Sequence, residues 1–255
     1  MMRWRDLALG AAALTTLVGA AVVLGPDVAT PGHTPNEAAG PTTDSVTSDT
    51  ATPMSALFIG DSYTVSSNFT ELSYVCRAAV QMRWKCDVSA IPGSGYISGG
   101  EANRFPLAGE PGSSTSIPER VPSLAAEYSP DVVVLDGGRN DLFPPAEDVG
   151  KAMAYTLGEA RRAWPHATLV FLRPRYLVNP GDNLGFDDDF MTRLEADPAA
   201  AGVVFLDPIA DPELAGRDTS DLLGPDHQHP NSLGEQRLAD ALVAALRAHG
   251  VGVSP

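Results

Sequence analysis

"SALFIGDSYTVSS", residues 55–67, decides how this chain is read. The residues from Ala56 to Gly60 are apolar or Gly, as in a strand buried on both faces, and Gly, Asp and Ser are residues that end strands by turning. Alone, the triplet is only a turn. It becomes chemistry if the rest of the chain supplies a base for the Ser62 hydroxyl, a carboxylate to orient that base, and donors for an oxyanion.

Working outward, four more apolar runs follow: "CDVSAI" (86–91), "DVVVLDGG" (131–138), "ATLVFLRP" (167–174) and "GVVFLD" (202–207). They are near-continuously hydrophobic, which predicts parallel strands covered on both sides. Helical patterns separate them over 69–84, 145–164, 185–200 and 231–250. Strand and helix in alternation predict a three-layer α/β/α sandwich with right-handed crossovers. One Gly/Ser/Pro-rich loop, residues 98–118, interrupts the rhythm and is expected to be a wall or lid over the site, because it leaves the C-terminal end of its strand.

Composition narrows the function. The 255 residues carry a formal charge of -15; two arginines against five acids before residue 55 leave about -12 on the remainder. That balance argues against a nucleic-acid surface, which needs a basic patch. "MMRWR" followed by the uncharged run "LALGAAALTTLVGAAVVLG" (7–25) predicts a signal peptide or a membrane anchor within residues 1–25. Residues 26–54, rich in Pro, Thr and Ala, read as a disordered linker, and 55–255 as the globular domain, outside the cytoplasm whether secreted or tethered. The two cysteines, Cys76 and Cys86, read as a disulfide between the first helix and the second strand, with two reduced buried thiols as the alternative.

The strand ends carry the informative residues: Ser62 after the first, Gly95 in "IPGSGY" after the second, Asn140 in "GGRND" after the third, and Asp226 and His229 in "GPDHQHPNSLG" before the last helix. All fall on one edge of the sheet. Asp226 and His229, three residues apart at a Pro-containing turn, are close enough for the carboxylate to hold the imidazole while its other nitrogen faces Ser62.

The blocks "GDSYT", "GSG", "GRND" and "DHQHP", in that order, resemble those of the SGNH (GDSL) hydrolase family over about residues 55–248. The resemblance implies a five-stranded, mostly parallel, flavodoxin-like sheet. It implies Ser62 as nucleophile, His229 as general base and Asp226 as its orienting partner, with no metal and no cofactor. The oxyanion hole it implies consists of the backbone N–H groups of Ser62 and Gly95 and the side-chain amide of Asn140.

Competing readings stand beside each assignment. Gly93 competes with Gly95 for the second block, a helix N-cap is the weaker alternative for Asn140, and His227 is a rival base or, within "DHQH", a rival metal ligand. Thr64 stands where the Gly-x-Ser-x-Gly elbow of another hydrolase fold needs its second Gly. Arg139, Arg173 and Arg175 fall at the same edge and are expected to place an anionic or polar substrate, against the alternative that they pair with surface acids. The reading is an exported serine esterase acting on a small-molecule, lipid or glycan ester. Its alternatives are an acyltransferase or deacetylase of the cell envelope using the same residues, and a catalytically inactive binding module.

Overall fold

Alternate residues of the central strands enter opposite cores, and this divides the protein into three layers. The computed structural model describes residues 52–65, 72–99 and 115–252. Its sheet consists of β1 (Ser55–Gly60), β2 (Lys85–Ala90), β3 (Val132–Asp136), β4 (Thr168–Leu172) and β5 (Val204–Leu206), all parallel, in the order β2-β1-β3-β4-β5. Ala56, Phe58, Val132, Val134, Val170 and Leu172 pack towards α1 (Tyr74–Met82) and α6 (Ser232–Ala248). Their neighbours Leu57, Ile59, Val133, Leu135, Leu169 and Phe171 pack towards α2 (Ile117–Glu127), α3 (Ala146–Ala163) and α4 (Asp188–Glu195). A period of two thus feeds two cores from apparently unpatterned runs. The short α5 (Pro212–Ala215) lies between β5 and α6 in the chain.

This strand order is the flavodoxin-like one, and its switch point falls at β1, where the chain goes to β2 on one side and β3 lies on the other. Gly60 is in register with Ala90 and with Asp136, so the segments that follow all three strands open onto one crevice. A side chain at position 60 would collide with Thr64 Oγ1 and the Asp136 carbonyl, so only Gly lets the elbow fold so tightly against β3.

The five expected strands are all present, within a few residues of their predicted bounds. Helix α1 starts at Tyr74, later than the pattern from 69 suggested. The disulfide joins Cys76 of α1 to Cys86 of β2, with Cα atoms 5.5 Å apart. Of the 98–118 loop only the two ends are described: Thr115 donates from its backbone N–H to the Gly99 carbonyl (2.8 Å), and α2 begins at Ile117. The expected lid, the 7–25 segment and nearly all of the 26–54 linker lie outside the described residues. No described helix is long and apolar enough to cross a membrane.

Candidate active site

The elbow after β1 is built by Asp61. Its Oδ1 accepts the Tyr63 N–H (2.9 Å) and its carbonyl accepts the Thr64 N–H (3.2 Å), so two local bonds turn the chain at Ser62. Asp61 is fully buried, and burial raises its carboxyl to about 6 even though Arg139 opposes the shift.

The second component is the turn before α6. His227 donates to the Gly224 carbonyl (3.0 Å), and Gly224 in turn donates to the His229 carbonyl (2.8 Å). Asp226 Oδ1 accepts the N–H groups of Gln228 and His229, each at 3.0 Å. Asn231 then caps α6 by accepting from Leu233 and Gly234 (2.9 and 3.0 Å). The turn is therefore internally rigid, and the helix starts where it ends.

Together the two components bring Ser62, His229 and Asp226 into line: His229 Nε2 lies 2.8 Å from Ser62 Oγ, and Nδ1 lies 2.6 Å from Asp226 Oδ2. The bond from His229, followed by the two backbone donors, holds the Asp226 carboxyl at about 2. His227 is exposed, in the left-handed region (φ 56°), and serves the turn. Among the described residues no group of three or more His, Cys, Asp or Glu is arranged to hold a metal ion.

Of the three groups expected to donate to an oxyanion, two keep an N–H that no described residue accepts. The Ser62 N–H has no acceptor among the described residues. Asn140 Nδ2 donates one of its two hydrogens to the Ser94 carbonyl (2.8 Å), which orients the amide and leaves the other hydrogen available. Gly95 departs from the expectation, because its N–H donates to the Ser98 carbonyl (2.9 Å) and in this conformation has nothing left for an oxyanion. Gly93 is a turn residue: Ser94 donates to the Ile91 carbonyl (3.1 Å), with Pro92 and Gly93 (φ 79°) in the two central positions of a type II turn.

The arginines also depart from the expectation of substrate contacts. Arg139 is buried; Nη2 donates to Asp136 Oδ1 (2.8 Å), Nη1 reaches Asp61 Oδ1 (3.3 Å), and Nε donates to the Arg175 carbonyl (2.7 Å). Arg173 is bound to Asp188 Oδ1 (2.8 Å) and the Phe186 carbonyl (2.9 Å). Arg175 Nε lies 2.8 Å from both oxygens of Asp207. Arg139 is committed because Asp61 and Asp136 are buried carboxylates that need a counter-charge, whereas Arg173 pairs with the exposed Asp188 and Arg175 with the partly buried Asp207.

Three residues of this region escaped the sequence reading. Asp141, in the same block as Asn140, accepts from the N–H groups of Tyr96 (2.6 Å) and Ser98 (2.8 Å) and so shapes the loop after β2. Asp136, which ends β3, also accepts from Thr64 Oγ1 (2.7 Å) and from Tyr74 Oη (2.5 Å). Tyr63 is fully buried against His229, with ring centroids 5.6 Å apart. The signal for Asp136 was a carboxylate ending a strand buried on both faces.

A flavodoxin-like sheet with Ser, His and Asp aligned at its C-terminal edge defines the SGNH class of ester hydrolases, and comparison with known proteins gives the same class. The chain belongs to the GDSL-like lipase/acylhydrolase family, whose model matches residues 58–237. A curated relative, GDSL lipase Rv0518 of Mycobacterium tuberculosis, is 31% identical over 207 residues, covering 76% of this chain and 82% of that protein. Among solved structures, a psychrotrophic esterase, EstA, from Pseudoalteromonas sp. superposes with a TM-score of 0.56 at 17% identity, over 77% of this chain and 98% of its own. A family two carbohydrate esterase from Clostridium thermocellum, solved as an active-site mutant, gives a TM-score of 0.56 at 21% identity. It covers 78% of this chain, which spans 65% of that esterase's length. At these identities the structural likenesses concern the fold.

Proposed function

We propose that the protein is an exported serine esterase in which Ser62, His229 and Asp226 are the catalytic residues. The observation that carries the reading is the single imidazole bridging Ser62 Oγ (2.8 Å) and Asp226 Oδ2 (2.6 Å). His229 takes the Ser62 proton as Oγ attacks the ester carbonyl, and returns it to the departing alcohol as the acyl-enzyme forms. A water deprotonated by the same nitrogen then releases the acid. Asp226 keeps the proton on Nδ1 and offsets the charge of the imidazolium. The Ser62 N–H and the free hydrogen of the Asn140 amide are the donors for the tetrahedral oxyanion.

The acyl group is neutral and apolar in this reading. Arg139, Arg173 and Arg175 are bound to Asp136, Asp188 and Asp207, whereas Leu142 and Phe143, just after Asn140, are 48% and 98% exposed. Export rests on the basic and apolar N-terminus and on a disulfide, which persists in oxidising compartments. The test is turnover of a chain-length series of neutral p-nitrophenyl esters by the full-length protein beside its Ser62→Ala variant. Turnover that vanishes in the variant and persists with longer acyl chains is the expected result. A folded wild-type protein that turns over none of the series, or an unaffected variant, overturns the reading.

A further inference from the structure

The esterase reading gives Tyr63 no task. Tyr63 follows Ser62 directly, yet it is fully buried, and its hydroxyl uses both of its bonding capacities at distant points of the chain. It donates to the Gln228 carbonyl at 2.6 Å and accepts the Leu177 N–H at 3.1 Å. Gln228 lies between Asp226 and His229, in the turn that carries the base. The Tyr63 ring packs on His229 and on Tyr176, each with centroids 5.6 Å apart, and the Arg139 guanidinium carbon stands 4.6 Å from its centroid. Its N–H is held by Asp61, which Arg139 also contacts.

We infer that Tyr63 is the positioning residue that locks the base turn to the nucleophile elbow, an inference that rests on the triad reading above. The base turn is rigid within itself, because Asp226 accepts two of its N–H groups and Gly224 closes it onto His229. The Asp226–His229 geometry therefore does not need Tyr63. The Tyr63 hydroxyl ties that turn directly to the residue next to the nucleophile. The arginine and Tyr176 hold the ring so that the hydroxyl has one place to be. Small displacements at this contact matter, since nucleophile and base must stay within hydrogen-bond reach.

This role has its own signature. Tyr63→Phe keeps the ring and its stacking and removes only the two hydroxyl bonds. The expected result is a kcat about 10- to 100-fold lower with KM unchanged. The rate at which a small phosphonate ester modifies Ser62 falls in parallel, while the pH midpoint of the acid limb stays where it is, because Asp226 and His229 move together. Thr219→Val is the comparison: it deletes another buried hydroxyl bond on the same loop, to the Leu177 carbonyl (2.5 Å), and is expected to lower Tm but not kcat. A Tyr63→Phe enzyme with wild-type kcat, or one whose loss Thr219→Val reproduces, overturns the inference. Should Tyr63→Phe not fold, the wild-type protein decides it by proton NMR. A slowly exchanging Tyr63 hydroxyl proton close to the His229 ring is the expected result, and fast exchange overturns it. Absence of turnover in the wild type instead removes the esterase reading itself.

Discussion

Arg139 and Asp136 form a buried ion pair, Nη2 to Oδ1 at 2.8 Å, directly beneath the elbow that carries Ser62. A second carboxylate, Asp61, lies 3.3 Å from the same guanidinium, so one cation serves two buried acids at adjacent strand ends. Arg139→Met fills similar volume and leaves both acids without their counter-charge. The expected loss is about 3–5 kcal/mol of unfolding free energy, the scale for breaking a buried pair from one side. Urea unfolding at neutral pH measures it, and a loss below about 1 kcal/mol would show that the pair does not hold this edge together.

The fold was legible because the signals were long and periodic: five apolar runs alternating with helical patterns leave little choice besides an α/β sandwich. The placement of Ser62 and Asn140 just after strands, and of Asp226 and His229 in the turn before the last helix, was legible because each sits in a short block. The arginines were misread because sequence shows which residues share an edge but not which of them point inward, and Asp207, the partner of Arg175, is 32 residues away. Gly95 was misread for a related reason. The direction of its N–H depends on Asp141, which gathers the backbone of Tyr96 and Ser98 and brings the Ser98 carbonyl round to it.

Asp61 makes stability depend on pH in a stated direction. Burial raises its carboxyl from 3.8 to about 6, so between those values the folded protein binds the proton and the unfolded chain does not. Stability from this group is therefore greatest near pH 4 and falls as pH rises to about 6. The size is on the order of 3 kcal/mol, at 1.36 kcal/mol per unit. Urea midpoints across this window should decline with rising pH in the wild type, and the decline should flatten in Asp61→Asn. Equal slopes in the two proteins would assign the dependence to other groups.

Asn140 is the only side chain in the proposed oxyanion hole, and with the Gly95 N–H bound to Ser98 it carries a larger share than in a three-donor hole. Asn140→Ala is expected to lower kcat by about 10²- to 10³-fold with little change in KM, because the donor acts on charge that develops only after attack. Burst kinetics with an activated ester check this directly. A drop below threefold would mean that Gly95 turns its N–H into the site during turnover and that the ground-state bond to Ser98 is readily exchanged.

Asp226 is half exposed, yet its carboxyl is held at about 2 by His229 and two backbone donors, so it stays ionised through the whole working range. A loss of activity in mild acid would therefore have to come from a group other than this carboxylate. The carboxylate's own contribution to stability, present above 3.8, disappears only as pH falls towards 2. Asp226→Asn keeps the shape of the turn but removes the charge and permits the wrong tautomer. The expected fall in kcat is about 10³- to 10⁴-fold. Single-turnover acylation rates of both proteins at neutral pH measure the effect. A variant within tenfold of the wild type would mean that the carboxylate 2.6 Å from Nδ1 holds the turn and takes no part in the chemistry.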